Sequence, residues 1–542
     1  MKVIKDNLKY VVIVLLIVIF TISIVPKDFQ NDTFYTIAVG KHIVKNGISD
    51  IEPFAWHEGL EYQTPHWFFD YLNALIYNVF ELEGLYVFIC ALSVIFMLVI
   101  YFNMVSKGIN WGVAYIATMI TAYLLSNSLF TDRAQILSYL LFFIEVTLIE
   151  SFMKRKSKLA GFGLFVIAVL IANLHAGVWP LFFVLFLPYI GEYVINWFSI
   201  KEVVRRRIKR DEKRLKRLES HEGPNNEIEK LKIEIDRDKK YIKFKDEKEP
   251  EKIITEMNKN ALWLILIMFI CLFAGLLTPR PEVPYTYFAK ISAGTTMNYI
   301  SEHRPVVIAG NFPFLLMVIL SFTMIGFTDS KIKLSHALLL LGLGLMSCIA
   351  VRHVVLLMIF GSYIITKMID DFIKKYGHED IEVGQKKKIK NIFFILLCIV
   401  ISVFSIYFFT QRNVEEFIDE TMYPVKATEW IKKNLNIEKI KLYNEYDFGS
   451  YLLYQGVPVF IDSRSDLYTQ QFNENVTIFD DLISVMYGEK SYREIFEKYD
   501  ITHALVYKSS IANTYMKEDG VCFQLYEDDY FVLYQYTGNS MK

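Results

Sequence analysis

Apolar residues in this chain fall into long, nearly unbroken runs, at 10–25, 85–102, 162–172 and 261–277 among others. Runs of about 18–20 apolar residues, wound as helices, are long enough to cross the hydrocarbon core of a bilayer. A chain of 542 residues that is 53% hydrophobic and concentrates its apolar content in this way is not one water-soluble globule. Its 58 basic and 59 acidic residues leave a net charge of −1. There is therefore no global cationic excess to hold phosphate backbones, and nucleic acid is excluded as a partner. Cys90, Cys271, Cys348 and Cys398 lie in apolar runs, and no CxxC or HExxH spacing occurs, so a zinc site of those types is not supported. The first run follows Lys2, Lys5 and Lys9 and lacks a small-x-small cleavage pattern after it, which predicts a retained membrane helix.

Eleven spans are predicted, near 9–26, 84–104, 110–128, 134–152, 159–175, 178–198, 260–278, 311–328, 334–350, 352–371 and 391–409. Basic residues orient them, because Lys and Arg accumulate in cytoplasmic loops. With the N-terminus cytoplasmic, the inner segments carry Lys107, the cluster Lys154, Arg155, Lys156 and Lys158, the basic run 205–210, Lys331 and Lys333, and Lys374, Lys375 and Lys386–Lys388. The outer segments 27–83 and 279–310 hold six Lys or Arg between them. The expected architecture is mostly α: a multi-pass plasma-membrane domain over 1–409, N-terminus in and C-terminus out, with surface-lying helices in the first outer loop. Residues 410–542 follow as a small extracytoplasmic α/β domain.

The insertion 199–259 places Val204, Ile208, Leu215 and Leu218 at near-heptad spacing, and Ile228, Leu231, Ile235 and Ile242 repeat it after the breaker Gly223-Pro224-Asn225-Asn226. This predicts an antiparallel helical hairpin with a narrow apolar seam, a solvated cytoplasmic arm. In the tail, helices are expected at 425–434 and 491–499, where Ser491 and Glu494 have capping-box spacing. Strands are expected at 441–444, 457–462, 502–507, 521–526 and 531–536, the last two joined through Asp528-Asp529. Asp462, Arg464 and Asp466 alternate along an extended run, a spacing that suits turn hydrogen bonding and surface pairing ahead of binding an acceptor glycan or an ion. Tyr443, Tyr446, Tyr451 and Tyr454 suit either a small core or stacking on sugars.

The unusual residues share one side. Asp32, His66, Asp70, Asp132, Arg133, His175, Arg280, Glu302, His303, Arg304, Arg352 and His353 all fall at or just beyond outer helix ends. An ionisable group near hydrocarbon costs up to about 3 kcal/mol unless it is paired or faces a polar space. So many on one side point to a polar cavity opening outward. Asp32 precedes an amphipathic stretch, 33–46, with Phe34, Ile37, Ala38 and Ile43 apolar and Gly47 at its end. That places Asp32 at the N-cap of a surface helix, where it either caps, worth about 1 kcal/mol, or acts as a general base.

The order of these signals resembles the GT-C superfamily of polytopic membrane glycosyltransferases, in the bacterial, polyprenyl-phosphate-sugar-dependent form. The matching stretches are Asp32-Thr33-Phe34-Tyr35, then Pro53-Phe54-Ala55-Trp56 and Thr64-Pro65-His66-Trp67-Phe68-Phe69-Asp70. Asp132-Arg133-Ala134-Gln135, Asn173-Leu174-His175-Ala176-Gly177, Thr278-Pro279-Arg280 and Ile300-Ser301-Glu302-His303-Arg304-Pro305 follow. In the tail, 444–452 and 460–464 resemble tails of GT-C-like proteins. The likeness covers most of the chain outside 199–259.

The resemblance implies a sugar carried on polyprenyl phosphate within the membrane and an extracytoplasmic glycan, lipid or protein acceptor. Carried onto this chain, Asp32 takes the acceptor proton, with Asp70 and Glu302 as further catalytic acids that orient the acceptor or hold a divalent cation. Arg280, Arg304 and Arg352 hold the departing lipid phosphate, and His66, Arg133, His175 and His353 complete the substrate-binding set. Asn31 precedes Asp32 where protein mannosyltransferases pair two acids, so metal use and the identity of the base stay open. Two other readings remain: a non-enzymatic lipid or glycan transporter, and a catalytically inactive relative that docks envelope proteins. The transporter is disfavoured by the few ionisable residues in the inner halves of the spans.

Overall fold

Backbone in hydrocarbon has no water to bond, so an apolar segment satisfies its N–H and C=O groups within a helix. The computed structural model, which describes residues 2–221, 223–248, 252–377, 383–411 and 417–538, is accordingly mostly helical. Five helices are long and apolar enough to cross a membrane: Trp67–Ser106, Trp111–Leu129, Ala134–Arg155, Ala176–Phe198 and Val351–Tyr376. Four further apolar helices are shorter, Lys158–Leu174, Asn260–Leu276, Phe312–Phe327 and Leu334–Ile349, and the apolar stretches Tyr10–Ile24 and Ile395–Gln411 belong to the longer helices Lys2–Ile24 and Val383–Gln411. At 1.5 Å per residue, the shorter ones reach no more than about 25 Å.

Helix Trp67–Ser106 is bent. Glu81 has φ 54° and ψ −148° inside it, and the exposed Glu81 and Glu83 mark where a first limb, 67–80, turns into the apolar limb that follows. Against the first limb lies helix Asn31–Asn46. Gly47 ends that helix as expected, at φ 80° with its N–H donating to Ile43 O. The start differs from expectation: Gln30 is the N-cap, and Asp32 stands in the first turn without capping it.

This helix has no wet face along its first half, since Thr33 through Gly40 are all buried. On one side it touches the limb 67–80 at Gly40, where a Cβ would stand 2.0 Å from the Asp70 carbonyl oxygen. On the other side the tail helix Gly449–Tyr454 covers it. Phe34, fully buried, packs edge-on against Tyr451 with ring centroids 5.3 Å apart.

The tail reaches this place because the two ends of the membrane region are neighbours. Helix Lys2–Ile24 packs along helix Val383–Gln411, with Phe20 against Phe408 at 6.3 Å. Past both helices the chains run together: Phe29 N–H donates to Phe417 O at 3.1 Å, and the Tyr423 hydroxyl donates to Phe29 O at 3.1 Å.

Strands β1 (Ile253–Ile254) and β2 (Ile332–Lys333) form a short parallel pair. The tail carries a four-stranded sheet of β3 (Leu442–Asn444), β4 (His503–Tyr507), β5 (Cys522–Glu527) and β6 (Phe531–Tyr536), in the order β3-β4-β6-β5. The β3 and β4 strands are parallel and the other pairs antiparallel. Asp528 turns the last hairpin by accepting from the Tyr530 and Phe531 N–H groups. The expected strand 457–462 does not join this sheet. Its backbone is satisfied by the Asn444 side chain, which donates to Ile461 O and accepts from Phe460 N–H, and by a parallel bridge from Val459 to Ala55. Ser491 caps helix Tyr492–Tyr499 through Arg493 N–H.

The insertion is an antiparallel pair of helices, Ile200–Ser220 and Asn225–Lys248. Val204, Leu231 and Ile235 are buried in its seam, flanked by Arg207–Asp238 at 2.5 Å, Lys239–Glu212 at 2.7 Å and Lys232–Glu219 at 2.9 Å.

Candidate active site

The turn between helices Trp111–Leu129 and Ala134–Arg155 sends two ionisable side chains in different directions. Asp132 points inward and is 2% exposed, with both carboxyl oxygens accepting from Asn73 Nδ2 at 3.0 and 2.9 Å. Burial pushes its carboxyl up to about 7, although the Asn73 hydrogen bonds oppose the rise. Arg133 points the other way. Its Nη2 lies 2.6 Å from Asp32 Oδ2, and its Nη1 donates to Glu302 Oε1. Burial works against the guanidinium charge, but Asp32 and Glu302 outweigh it and raise the Arg133 pKa. Burial alone would likewise raise the Glu302 carboxyl, and Arg133 reverses this and holds it below its usual range.

These residues stand at the wall of a cavity of about 480 Å³. Of the side chains expected at the site, it brings together Asp32, His66, Arg133, His175, Glu302 and Arg352, with His303 beside them. The His66 and His175 rings meet edge to face at 4.6 Å. His66 Nδ1 pairs with the Tyr35 hydroxyl at 3.3 Å, and His175 Nδ1 pairs with Ser138 Oγ at 3.1 Å. Burial, reinforced by Arg133, lowers His66 to about 4. Burial and then Arg352 lower His303 to about 4, and Arg352 Nη1 lies 3.1 Å from its Nε2.

Four expected residues are not at this cavity. Asp70 is fully buried on the limb 67–80, and neither carboxyl oxygen has a hydrogen-bond partner among the described residues. Arg280 clamps the first loop, donating to Tyr62 O at 2.8 Å and Ser49 O at 2.9 Å and pairing with Asp50. Arg304 folds onto its own loop through Asn298 O at 3.0 Å. His353 is buried at 8% exposure, away from the cavity wall. In each case a backbone carbonyl or the packed interior claims the side chain, and a one-dimensional pattern carries no record of that choice.

The tail contributes residues for which the sequence favoured turns, surface pairs or a small core over binding. Tyr446, Ser463, Arg464 and Asp466 line the cavity, facing Tyr35, Tyr62 and Tyr287. Asp462 and Arg464 are not a surface pair: they are 0% and 4% exposed. Arg464 donates through Nε to Asp462 Oδ1 at 2.9 Å and through Nη2 to Glu52 Oε1 at 2.7 Å. Tyr468 adds a 2.6 Å hydrogen bond to Asp462 Oδ2, and the Tyr287 hydroxyl donates to Asp466. The one signal for this network is the alternation of three charges inside an otherwise apolar run. Tyr443 and Tyr451 are core residues, at 0% and 2% exposure.

A second cavity, of about 1320 Å³, lies at the far ends of the same helices. Helix Ala134–Arg155 reaches from Gln135 at the first cavity to Glu150 at the second, where Glu150 pairs with Lys107 and with His336 at 2.7 Å. Glu145, on the same helix, is fully buried with no hydrogen-bond partner among the described residues. The hairpin side of the bundle is thus richer in ionisable groups than expected. Between the cavities Phe143 and Phe360 stack at 6.1 Å.

No family model matches this chain, and no curated protein matches it. Among solved structures it is similar to the archaeal oligosaccharyltransferase AglB from Archaeoglobus fulgidus, determined in complex with an inhibitory peptide and a dolichol-phosphate. The TM-score is 0.51 at 11% identity, covering 93% of this chain and 70% of that one. At that identity the likeness is one of fold.

Proposed function

We propose that this chain is a membrane glycosyltransferase that moves a sugar from a polyprenyl-phosphate carrier to an acceptor arriving from outside the cell. The observation that carries this reading is the convergence of Asp32, Arg133 and Glu302 on one cavity beside the ends of the apolar helices. The fold neighbour was solved with a dolichol-phosphate and a peptide, which is consistent with a lipid-linked carrier and an acceptor meeting in such a cavity. The basic loops favour a cytoplasmic hairpin and an extracytoplasmic tail at the plasma membrane.

In this reading Asp32 accepts the proton of the acceptor hydroxyl as its oxygen bonds to the anomeric carbon. The bond from that carbon to the carrier phosphate breaks, and the phosphate leaves with the electron pair. Arg352 supplies the cation for that departing charge, since a guanidinium fork binds phosphate oxygens well. His66, His175 and His303, kept neutral by burial, offer hydrogen bonds without adding charge. Arg280, Arg304, Asp70 and His353 serve the scaffold. The test is Asp32→Asn in membranes supplied with lipid-linked donor. Transfer is expected to fall about 10²–10⁴-fold with normal expression, and retained activity overturns the assignment.

The second cavity favours one other reading, a carrier-lipid transporter open alternately at both ends. Carrier translocation without sugar transfer would support the transporter instead.

A further inference from the structure

Two of the acids at the cavity, Asp32 and Glu302, already have a counter-ion from the chain itself. Arg133 uses both arms of its guanidinium, Nη2 on Asp32 and Nη1 on Glu302, and so joins three connections that are far apart in sequence. We propose that Arg133 is the resident cation of this site, filling the place between Asp32 and Glu302 that a divalent ion would occupy, so that the chain works without a bound metal. This deepens the glycosyl-transfer reading of the cavity, but its test needs no donor sugar.

The donor set does not fit a divalent ion. Such an ion would require both carboxylates to turn away from the guanidinium and would then sit beside its positive charge. Several of the neighbouring groups are committed elsewhere. Asp132 accepts from Asn73 with both oxygens. His66 is paired with Tyr35, His175 with Ser138, and His303 with Arg352. Among the described residues, no three His, Cys, Asp or Glu side chains are grouped as metal ligands. Arg133 instead orients the acid. Its ion pair engages Oδ2 of Asp32, leaving Oδ1 as the oxygen that takes the acceptor proton. Arg133 is thus a positioning residue whose planar fork fixes both acids at once, which a point charge such as lysine cannot do.

The full-length protein in detergent, stripped with EDTA, is titrated with Mn²⁺ while bound ion is followed by electron paramagnetic resonance and unfolding by thermal melting. Wild type is expected to take up no Mn²⁺ and to keep its Tm. Arg133→Gln is expected to gain one Mn²⁺ and a Mn²⁺-dependent rise in Tm, both lost again when Glu302→Gln is added. Wild type that binds Mn²⁺ and loses it on Asp32→Asn overturns the proposal, as does a folded Arg133→Gln that ignores Mn²⁺. Where Arg133→Gln does not fold, the wild-type titration decides alone. Absence of sugar transfer by wild type would sink the functional reading and leave the Mn²⁺ result standing.

Discussion

Arg464 Nη2 donates to Glu52 Oε1 at 2.7 Å, joining the tail to the first loop across 412 residues of sequence. Both side chains are almost completely buried, at 3% and 0% exposure, and Asp462 shares the same guanidinium. Removing the cation strands two carboxylates in the interior. Arg464→Met is therefore expected to cost about 3–5 kcal/mol, read as a lowered midpoint in thermal or denaturant unfolding. Arg464→Lys should recover only part of it, since one ammonium lacks the fork that holds both acids.

Gly40 is the contact point between the helix that carries Asp32 and the limb that carries Asp70, with no room for a Cβ against the Asp70 carbonyl. Gly40→Ala is expected to destabilise by about 1–3 kcal/mol through overpacking, and to weaken transfer because the helix must shift. Gly326→Ala is the control: nothing lies within 4 Å of its Cβ position, and it should leave both Tm and transfer unchanged.

Acid should destabilise the protein through its cavity histidines. His66 and His303 are lowered to about 4 in the folded chain, against about 6.5 when unfolded. Between those values the unfolded chain binds more protons, so stability is complete above about pH 6.5 and is lost progressively as pH falls toward 4. A Tm series over that range should show the decline, and His66→Gln should flatten it. An unchanged slope in His66→Gln would remove His66 from the account.

Arg352 and Arg280 look equivalent in sequence and should behave differently. Arg352 lines the cavity beside His303, and Arg352→Gln is expected to lower kcat/KM for the lipid-linked donor about 10²–10³-fold with little change in Tm. Arg280 holds the carbonyls of Ser49 and Tyr62. Arg280→Gln should lower Tm, and transfer should suffer only as far as the first loop loosens. Steady-state kinetics and melting on the same two preparations separate the roles.

Much of the membrane region was legible because hydrocarbon imposes a local rule. A long apolar run must be helical, and every predicted span coincides with an apolar helix, five of them long enough to cross. Gly47 and the Asp528 turn were readable for the same reason, since their geometry depends on a few adjacent residues. Local rules failed where a distant partner took over. Asp32 had the neighbours of an N-cap, yet Gln30 holds that position, with no side-chain capping bond, while Arg133 pairs with Asp32. Residues 457–462 had the composition of a strand, yet Asn444 and Ala55 satisfy their backbone.

The sequence by itself determined that apolar helices would dominate and that most ionisable residues would stand toward helix ends, because the cost of charge near hydrocarbon is paid residue by residue. Only the tertiary structure decided which of those residues meet. Arg133 bridges Asp32 and Glu302 while Arg280 and Arg304 turn to backbone carbonyls. The physical reason is competition: each guanidinium goes to whichever acceptors the packed chain brings within reach. The tail's share in the cavity was decided in the same way. Helix Lys2–Ile24 lies beside helix Val383–Gln411, and that adjacency delivers Arg464 to Glu52.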